Sequence, residues 1–449
     1  MYSKTLLFLF IVTVLSSCQT DRDDYDVIVT QLDREISTLI NKASQGEGAS
    51  YFTLPESTDY SRIPQDPQNP ITSEKVALGK LLLHETALGG KPKMGDRLFQ
   101  YACATCHPVA SGFSAGRRQG IGEGGAGFGL KGEGRFADIS MPLDSLDVQP
   151  VKPPTLLNLS YQDVMLWDGR FGGVGVNIGT SDKWDDIPEN FDGFHGIEVQ
   201  AMQGQDEHRL KIDASFVTTF GYKNLFDAAF SDIPESKRYT RKTGALAIAA
   251  YNRTLLSNQA PWQDYLKGNN DALTDQEKRG AVVFLGDGKC VDCHTGPALK
   301  DKGFYAWGFG EFNNDQDAII KPGITIADVA LGRGGFTGVA DDRHKFKTPT
   351  LYNLIDNGFY GHGSTFTSVR DVVEYKNNGD PQNNFVTLGN LAPQFGTMHL
   401  TEGQITDLVA FLEQGLRDPD LARYVPTETP SGFCFPVNDP QGRVDIGCE

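Results

Sequence analysis

The stretch TSEKVALGKLLLHE, Thr72 to Glu85, sets Val76, Leu78, Leu81, Leu82 and Leu83 near helical spacing with charged residues between them. That period predicts an amphipathic helix. A second such stretch, LTDQEKRGAVVFL from Leu273 to Leu285, opens with Thr274 and has Glu277 three residues on. This is the pattern of a capping box, in which hydroxyl and carboxylate each satisfy a free amide of the first turn. A third, LTEGQITDLVAFLEQGL from Leu400 to Leu416, predicts an amphipathic helix near the C-terminus. Between these the pattern breaks up: GEGRFADIS and GVGVNIGTSDKWDDIPEN read as surface loops. The N-terminus differs again. In MYSKTLLFLFIVTVLSSCQT, Lys4 precedes an apolar run from Leu6 to Leu15, and small residues lead to Cys18. The run is too short to span a bilayer comfortably and reads as an export signal. LSSC resembles a bacterial lipoprotein box, with Cys18 as the lipidated residue; the alternative is an ordinary signal peptide with a chance cysteine.

Composition narrows the picture. Of the 449 residues, 39% are hydrophobic and 10% aromatic, enough for a packed core, while 50 Gly and 23 Pro point to many loops. A net charge of -17 argues against nucleic acid and anionic membrane surfaces as partners. Any membrane association would then run through the lipid on Cys18. The seven cysteines divide cleanly. Cys18 takes the lipid, Cys103 with Cys106 and Cys290 with Cys293 form two C-x-x-C pairs, and Cys434 and Cys448 remain in a Pro/Gly-rich tail. In an oxidising compartment the last two are expected to form a disulfide.

Each C-x-x-C pair is followed at once by a histidine: YACATCHPV holds His107 and GKCVDCHTG holds His294. C-x-x-C-H is the attachment signature of haem c. Two thiols must reach two vinyl groups along one porphyrin edge, and the adjacent histidine then swings under the ring to ligate iron. A zinc ribbon would also use four sulfurs, but the pairs lie far apart, and both have histidine at the same offset. A thioredoxin-like pair would want one copy beside a βαβ unit. A second repeat follows each haem signature, KPPTLLNL (Lys152 to Leu159) and KTPTLYNL (Lys347 to Leu354). The order helix, C-x-x-C-H, Gly-rich loop, P-T-L-x-N-L occurs twice, which is an internal duplication. It predicts an all-α chain of two cytochrome c-like domains, each with one covalently bound haem c. The expected parts are a signal peptide at 1–18, a tether and extension at 19–65, domains at 66–258 and 259–425, and a stapled tail at 426–449.

The haem signatures, together with LGKLLLHE, PPTLLNLSYQDVMLWDGR, FKTPTLYNL and LTEGQITDLVAFL, resemble the bacterial di-haem cytochrome c peroxidase and MauG family over roughly residues 70 to 420. The resemblance implies a peroxide-reacting N-terminal haem, an electron-handling C-terminal haem and a tryptophan between them, here Trp167. It also implies a distal glutamine, here Gln200, and a catalytic acid some way beyond it, for which Glu207 is the nearest candidate. Three departures stand out. Where the family's peroxidases have a capping histidine in a Gly-His-Gly loop, this chain has GIGEG with Glu123, either an acid/base or a solvated loop charge. Where the family puts the second haem's axial methionine or tyrosine, the ungapped count from His362 reaches Lys376, with Tyr375 beside it. Only one of these neighbours can face an iron, since successive helical residues point about 100° apart. Met398 is expected to be a core residue. Finally, Lys152 replaces an asparagine that helps hold calcium, which puts calcium there in doubt.

The resulting expectation is an exported, periplasmic or cell-envelope lipoprotein that reduces hydrogen peroxide. Its electrons would come from a small donor protein, a cytochrome c or a cupredoxin. Glu123 or Glu207, with Gln200, would move the peroxide proton, and Trp167 would relay electrons. A MauG-like oxidation of a protein side chain and a non-catalytic electron carrier are the alternatives.

Overall fold

The computed structural model describes residues 29–312 and 318–448; the expected signal peptide and Cys18 lie outside them. Seven helices of nine residues or more are described: α1 (Gln31–Ala43), α2 (Ser73–His84), α3 (Gly196–Glu207), α4 (Arg241–Arg253), α5 (Asp275–Leu285), α6 (Val369–Asn378) and α7 (Glu402–Ala410). Among the described residues the strands form two antiparallel pairs of two residues each, beside isolated single bridges. Gly125 and Ala126 pair with Ala137 and Phe136; Phe304 and Tyr305 pair with Lys347 and Phe346. The chain is helix-rich, and its long connections are mostly single 3-10 turns, as its glycine and proline content leads one to expect.

The helices start where the sequence supplies caps. Thr72 accepts the Lys75 amide of α2, and Thr274 with Glu277 forms the full capping box of α5. Ser368 with Asp371 and Thr401 with Gln404 do the same for α6 and α7. Past Ala410 the last helix widens into a π-turn, Phe411–Gly415, that buries Phe411 and Leu412.

Among the described residues two large apolar cores result, beside a small cluster of Ile121, Met141, Leu146 and Val148. One is built on α2, α3 and α4, the other on α1, α5 and α7. The change falls between Leu255, buried in the first, and Leu256, buried in the second. The ends of the chain do not follow this order. Ile36, Ile40, Phe52, Leu54, Ile63 and Ile71 precede the first core in sequence yet pack into the second. Asp33 of α1 pairs there with Lys278 of α5 at 2.8 Å, both side chains buried. The tail crosses the other way. Cys434 and Cys448 are disulfide-bonded. Within their loop the Asp439 carboxylate pairs with buried Arg135 at 3.0 Å and accepts the Gly127 amide. Both termini therefore fasten one half to the other.

Within each half, two helices meet at almost no distance. α2 lies along α4 at Gly79, where a Cβ would fall 2.0 Å from the Ala247 carbonyl oxygen. α5 lies along α7 at Gly280, where it would fall 2.1 Å from the Asp407 carbonyl oxygen. The repeat visible in sequence is thus repeated in packing. α3 is fixed against α4 by a fully buried ion pair, Glu198 with Arg253, at 2.6 Å. Asn69 adds a hydrogen bond to the same carboxylate at 3.1 Å. Glycine to alanine inside a helix ordinarily stabilises by about 1 kcal/mol. At Gly79 and Gly280 the methyl would strike backbone, so Gly79→Ala and Gly280→Ala should each destabilise by about 1–3 kcal/mol. Urea titrations should show lowered midpoints; a raised midpoint would mean that the helix pairs part freely.

Candidate functional site

Cys103–Cys106 is one isolated helical turn, closed by the Cys103 carbonyl accepting the His107 amide. Thr105 ties it down by accepting the Ala102 amide and donating to the Pro436 carbonyl of the tail. The His107 ring nitrogen Nδ1 lies 3.0 Å from the Phe113 carbonyl oxygen. A carbonyl only accepts, so Nδ1 bears the proton and Nε2 is left with its lone pair. Burial pushes the ring's pKa down to about 4, against the Phe113 hydrogen bond, so it is neutral at pH 7. Cys103, Cys106 and His107 form one wall of a cavity of about 610 Å³. α3 lies on the cavity with Ile197, Gln200, Ala201, Gly204 and Gln205, the i, i+3, i+4, i+7, i+8 face of the helix, and His208 continues it.

The second half repeats the plan. Cys290, Cys293 and His294 border a cavity of about 200 Å³. His294 Nδ1 lies 3.0 Å from the Leu299 carbonyl oxygen, and burial lowers its pKa to about 3. α6 gives this cavity Val369, Val372, Val373 and Lys376. The Lys376 ammonium sits 3.9 Å from the centre of the Trp307 ring. Tyr375 does not reach the cavity. Its hydroxyl lies 2.8 and 2.6 Å from the carbonyl oxygens of Trp307 and Gly308 and accepts the Gln382 amide. Met398, expected only as core filling, lines the cavity as well as packing on the second core.

One wall serves both cavities. Trp167, Lys152 and Phe346 line each of them. The Trp167 indole N–H donates to the Lys152 carbonyl at 2.8 Å, and the Trp167 carbonyl accepts the Lys347 amide at 2.8 Å. The Lys152 amide donates to the His362 carbonyl at 2.9 Å. The wall is rich in buried cations. Lys152 Nζ donates to the Ala115 carbonyl at 3.0 Å, and burial pushes its pKa down to about 7. Lys347 contacts the Gln162 amide oxygen and is likewise pushed to about 7 by burial. Lys300 is also lowered well below the ordinary lysine value, by burial first and then by Lys347 beside it.

Residues 73–271 match the family model of the di-haem cytochrome c peroxidases. The chain is 28% identical over 395 residues to the methylamine utilization protein MauG of Methylorubrum extorquens, covering 85% of this chain and 89% of that one. It is 25% identical over 310 residues to the cytochrome c551 peroxidase of Pseudomonas aeruginosa, covering 69% and 73%. The fold of a MauG-like protein associated with microbial copper homeostasis superposes on 82% of this chain and 95% of that one, with a TM-score of 0.56 at 21% identity. Over most of its length the chain is thus similar to members of the di-haem cytochrome c peroxidase and MauG family. Its class is that of an oxidoreductase of the peroxidase type.

The family implies haem c, and the residues suit it. Each cavity has two cysteines without a disulfide partner and a neutral imidazole with an engaged Nδ1. Lys347 and Lys300 are in no salt bridge among the described residues, and a carboxylate-bearing cofactor would answer their charge.

Two of the acids expected at the peroxide site lie elsewhere. Glu123 is neither a solvated loop charge nor on the cavity wall. It is buried, pairs with Arg209 and accepts the Met94 amide at 3.0 Å. Glu207 is exposed and accepts from Gln149 Nε2 at 2.9 Å. The cause is helical geometry: the cavity face of α3 passes through Gln200, Gly204 and His208, and Glu207 points about 100° away from His208. Sequence reasoning passed over His208 and Asp147, both on the cavity wall and joined at 3.0 Å. Extending the helical face of Gln200 by two turns would have found the histidine; nothing local marks the aspartate. Consecutive residues His208 and Arg209 thus clamp two acids of the 120–148 loop, Asp147 and Glu123. Replacing Glu123 with Gln should cost about 3 kcal/mol, because it strands a largely buried guanidinium. The loop should then be cut faster in limited proteolysis, and unchanged cutting would refute the clamp.

Proposed function

We propose that this protein is a di-haem peroxidase that reduces hydrogen peroxide to water with electrons from a small redox protein, a cytochrome c or a cupredoxin. The observation that supports it most is the pair of C-x-x-C-H segments, each on its own cavity, with Trp167 on both. In this reading residues 66–258 and 259–425 are the two haem domains. Cys103 with Cys106 and Cys290 with Cys293 make the covalent links, and His107 and His294 are the proximal ligands. Haem, when bound, supplies the redox chemistry. The chain's residues place and protect the reactants. Gln200 offers an amide to peroxide opposite His107, and Trp167 bridges the cavities for electrons. The location is the periplasm or cell envelope, with Cys18 as lipid anchor, a reading supported by the LSSC stretch.

A MauG-like oxidation of a protein side chain is the second reading. It is favoured by the curated MauG relatives and by Lys376 at the position counted from His362. Donor-dependent turnover separates the two: sustained oxidation of a reduced small cytochrome supports the peroxidase, and its absence supports the other. In either case the fully oxidised protein should react with peroxide without prior reduction, since no histidine stands in the GIGEG loop. Rapid mixing should change the visible spectrum within the first turnover. A reaction seen only after half-reduction would mean that another group caps the first site.

Lys376 is the proposed axial partner of the second haem, because it faces the cavity while Tyr375 is spent on a turn. Lys376→Ala should alter the second haem's spectrum and leave the first haem's peroxide reaction within about twofold, as expected for groups in separate cavities. Tyr375→Phe should leave both spectra unchanged. A spectral change in Met398→Leu but not in Lys376→Ala would transfer the role to the thioether.

A further inference from the structure

We infer that His208, held by Asp147, is the acid–base residue of the first cavity, the part that a glutamate was expected to play; this rests on the peroxidase reading above. His208 stands at the end of the α3 face that includes Gln200 and Gly204, on the same cavity as His107. Its side chain is 39% exposed, and it lines the cavity. Asp147 is 2% exposed and lies 3.0 Å from His208 Nδ1 through both carboxylate oxygens. An ionised carboxylate only accepts, so Nδ1 bears a proton. Nε2 has no hydrogen-bond partner among the described residues and is the nitrogen left for a ligand in the cavity. This is the arrangement of a positioned imidazole base with a carboxylate orienting it from behind.

The dyad is anchored on every side. The Asp147 amide donates to the Glu123 carbonyl, and the Gly122 amide donates to the Asp147 carbonyl. A Cβ on Gly122 would fall 2.0 Å from Asp147 Oδ2, so only glycine lets the carboxylate sit there. Tyr101 donates its hydroxyl to the His208 carbonyl at 2.9 Å. Arg209, the next residue, is fixed to Glu123 and to the Ser145 carbonyl. Charged and titratable groups facing the pair are Glu207 and Arg209 beside His208, Lys321 near Asp147, Tyr101 below and His107 across the cavity. Burial lowers the His208 pKa, but the Asp147 charge and hydrogen bonds outweigh it and hold it above the ordinary value. The same contacts keep Asp147 below the usual carboxylate range against its burial.

The proton transfer balances as follows. Neutral His208 takes a proton at Nε2 from one oxygen of hydrogen peroxide and returns it to the other. The oxygen–oxygen bond breaks and both its electrons leave with the departing water; the oxygen atom left behind needs two electrons, which a haem held by Cys103, Cys106 and His107 would supply. His208 ends as it began. General acid–base help of this kind is worth about 10²- to 10⁴-fold.

The test uses the haem-loaded protein. His208→Gln and His208→Ala should lower the second-order rate with peroxide by about 100-fold or more. The rate of the parent protein should rise with pH as His208 loses its proton. Asp147→Asn should move that rise to lower pH, because a neutral partner no longer favours imidazolium, and a merely structural partner would not shift it. Cyanide gives a readout apart from turnover: bound at the first haem, its infrared stretch should shift in His208→Gln if Nε2 donates to it. An unshifted stretch, or a variant as fast as the parent, overturns the proposal. So does a resting spectrum that turns from low to high spin in His208→Ala, which would make His208 an iron ligand. If the parent protein itself ignores peroxide while the cyanide stretch still responds to His208, the peroxidase reading has failed, and His208 keeps its contact with the ligand without the peroxide role.

Discussion

The indole N–H of Trp167 bonded to the Lys152 carbonyl is the knot on which the two cavities depend. A buried backbone or indole group left unpaired costs more than an ordinary hydrogen bond returns, so the segments here have little freedom. Lys152 donates to His362, and Lys347 donates to Trp167. Both P-T-L-x-N-L copies are thereby tied into one partition. Each copy turns at an asparagine in the left-handed region, Asn158 at φ 57° and Asn353 at φ 56°. Each asparagine amide bonds the chain end of its own half, at Leu255 and Leu416. The side chains of Asn158 and Thr350 then join the copies directly at 3.3 Å. A partition built from both halves gives each cavity the same far wall, and that fixes the place of Trp167.

The crossing termini act in the same sense from outside. α1 belongs to the second core by packing and to the first half by chain order, and the disulfide-closed tail does the reverse. Separating the halves would expose Ile36, Ile40 and Phe52 at one end and would break the buried Arg135–Asp439 pair at the other. An uncompensated buried charge costs several kcal/mol. The halves are therefore coupled in stability, although each has its own core and its own close helix pair. The tail also reaches the first cavity. Pro436 accepts from Thr105, inside the turn that holds Cys103 and Cys106, so the staple supports the turn from behind.

Much of this was legible in the sequence because it is local. The helix periods, the capping boxes at Thr274 and Thr401, the two C-x-x-C-H turns and the duplicated segment all depend on residues within about ten of one another. The count that sets Lys376 ahead of Tyr375 rests on the same ground, since neighbours on one helix cannot share a face. What escaped depends on distant partners. Glu123 could be read as solvated or catalytic until Arg209, 86 residues away, was seen to hold it. Glu207 and His208 are adjacent in sequence, and only the termination of α3 and the reach of Asp147 decide which of them meets the cavity. Burial of residues 36–71 against the second core has no local signal at all.

The charge pattern closes the argument. The chain has a net charge of -17, yet Lys152 and Lys300 are buried and Lys347 half-buried around the partition between its cavities. Desolvation alone would expel such groups or strip their protons. Lys152 has a carbonyl and Lys347 a glutamine amide oxygen, and neither partner bears a charge. Lys300 has no acid within salt-bridge reach among the described residues. Haem, which the family implies, would bring carboxylates to such a site, and its binding would then offset part of the desolvation cost that the polypeptide alone must bear.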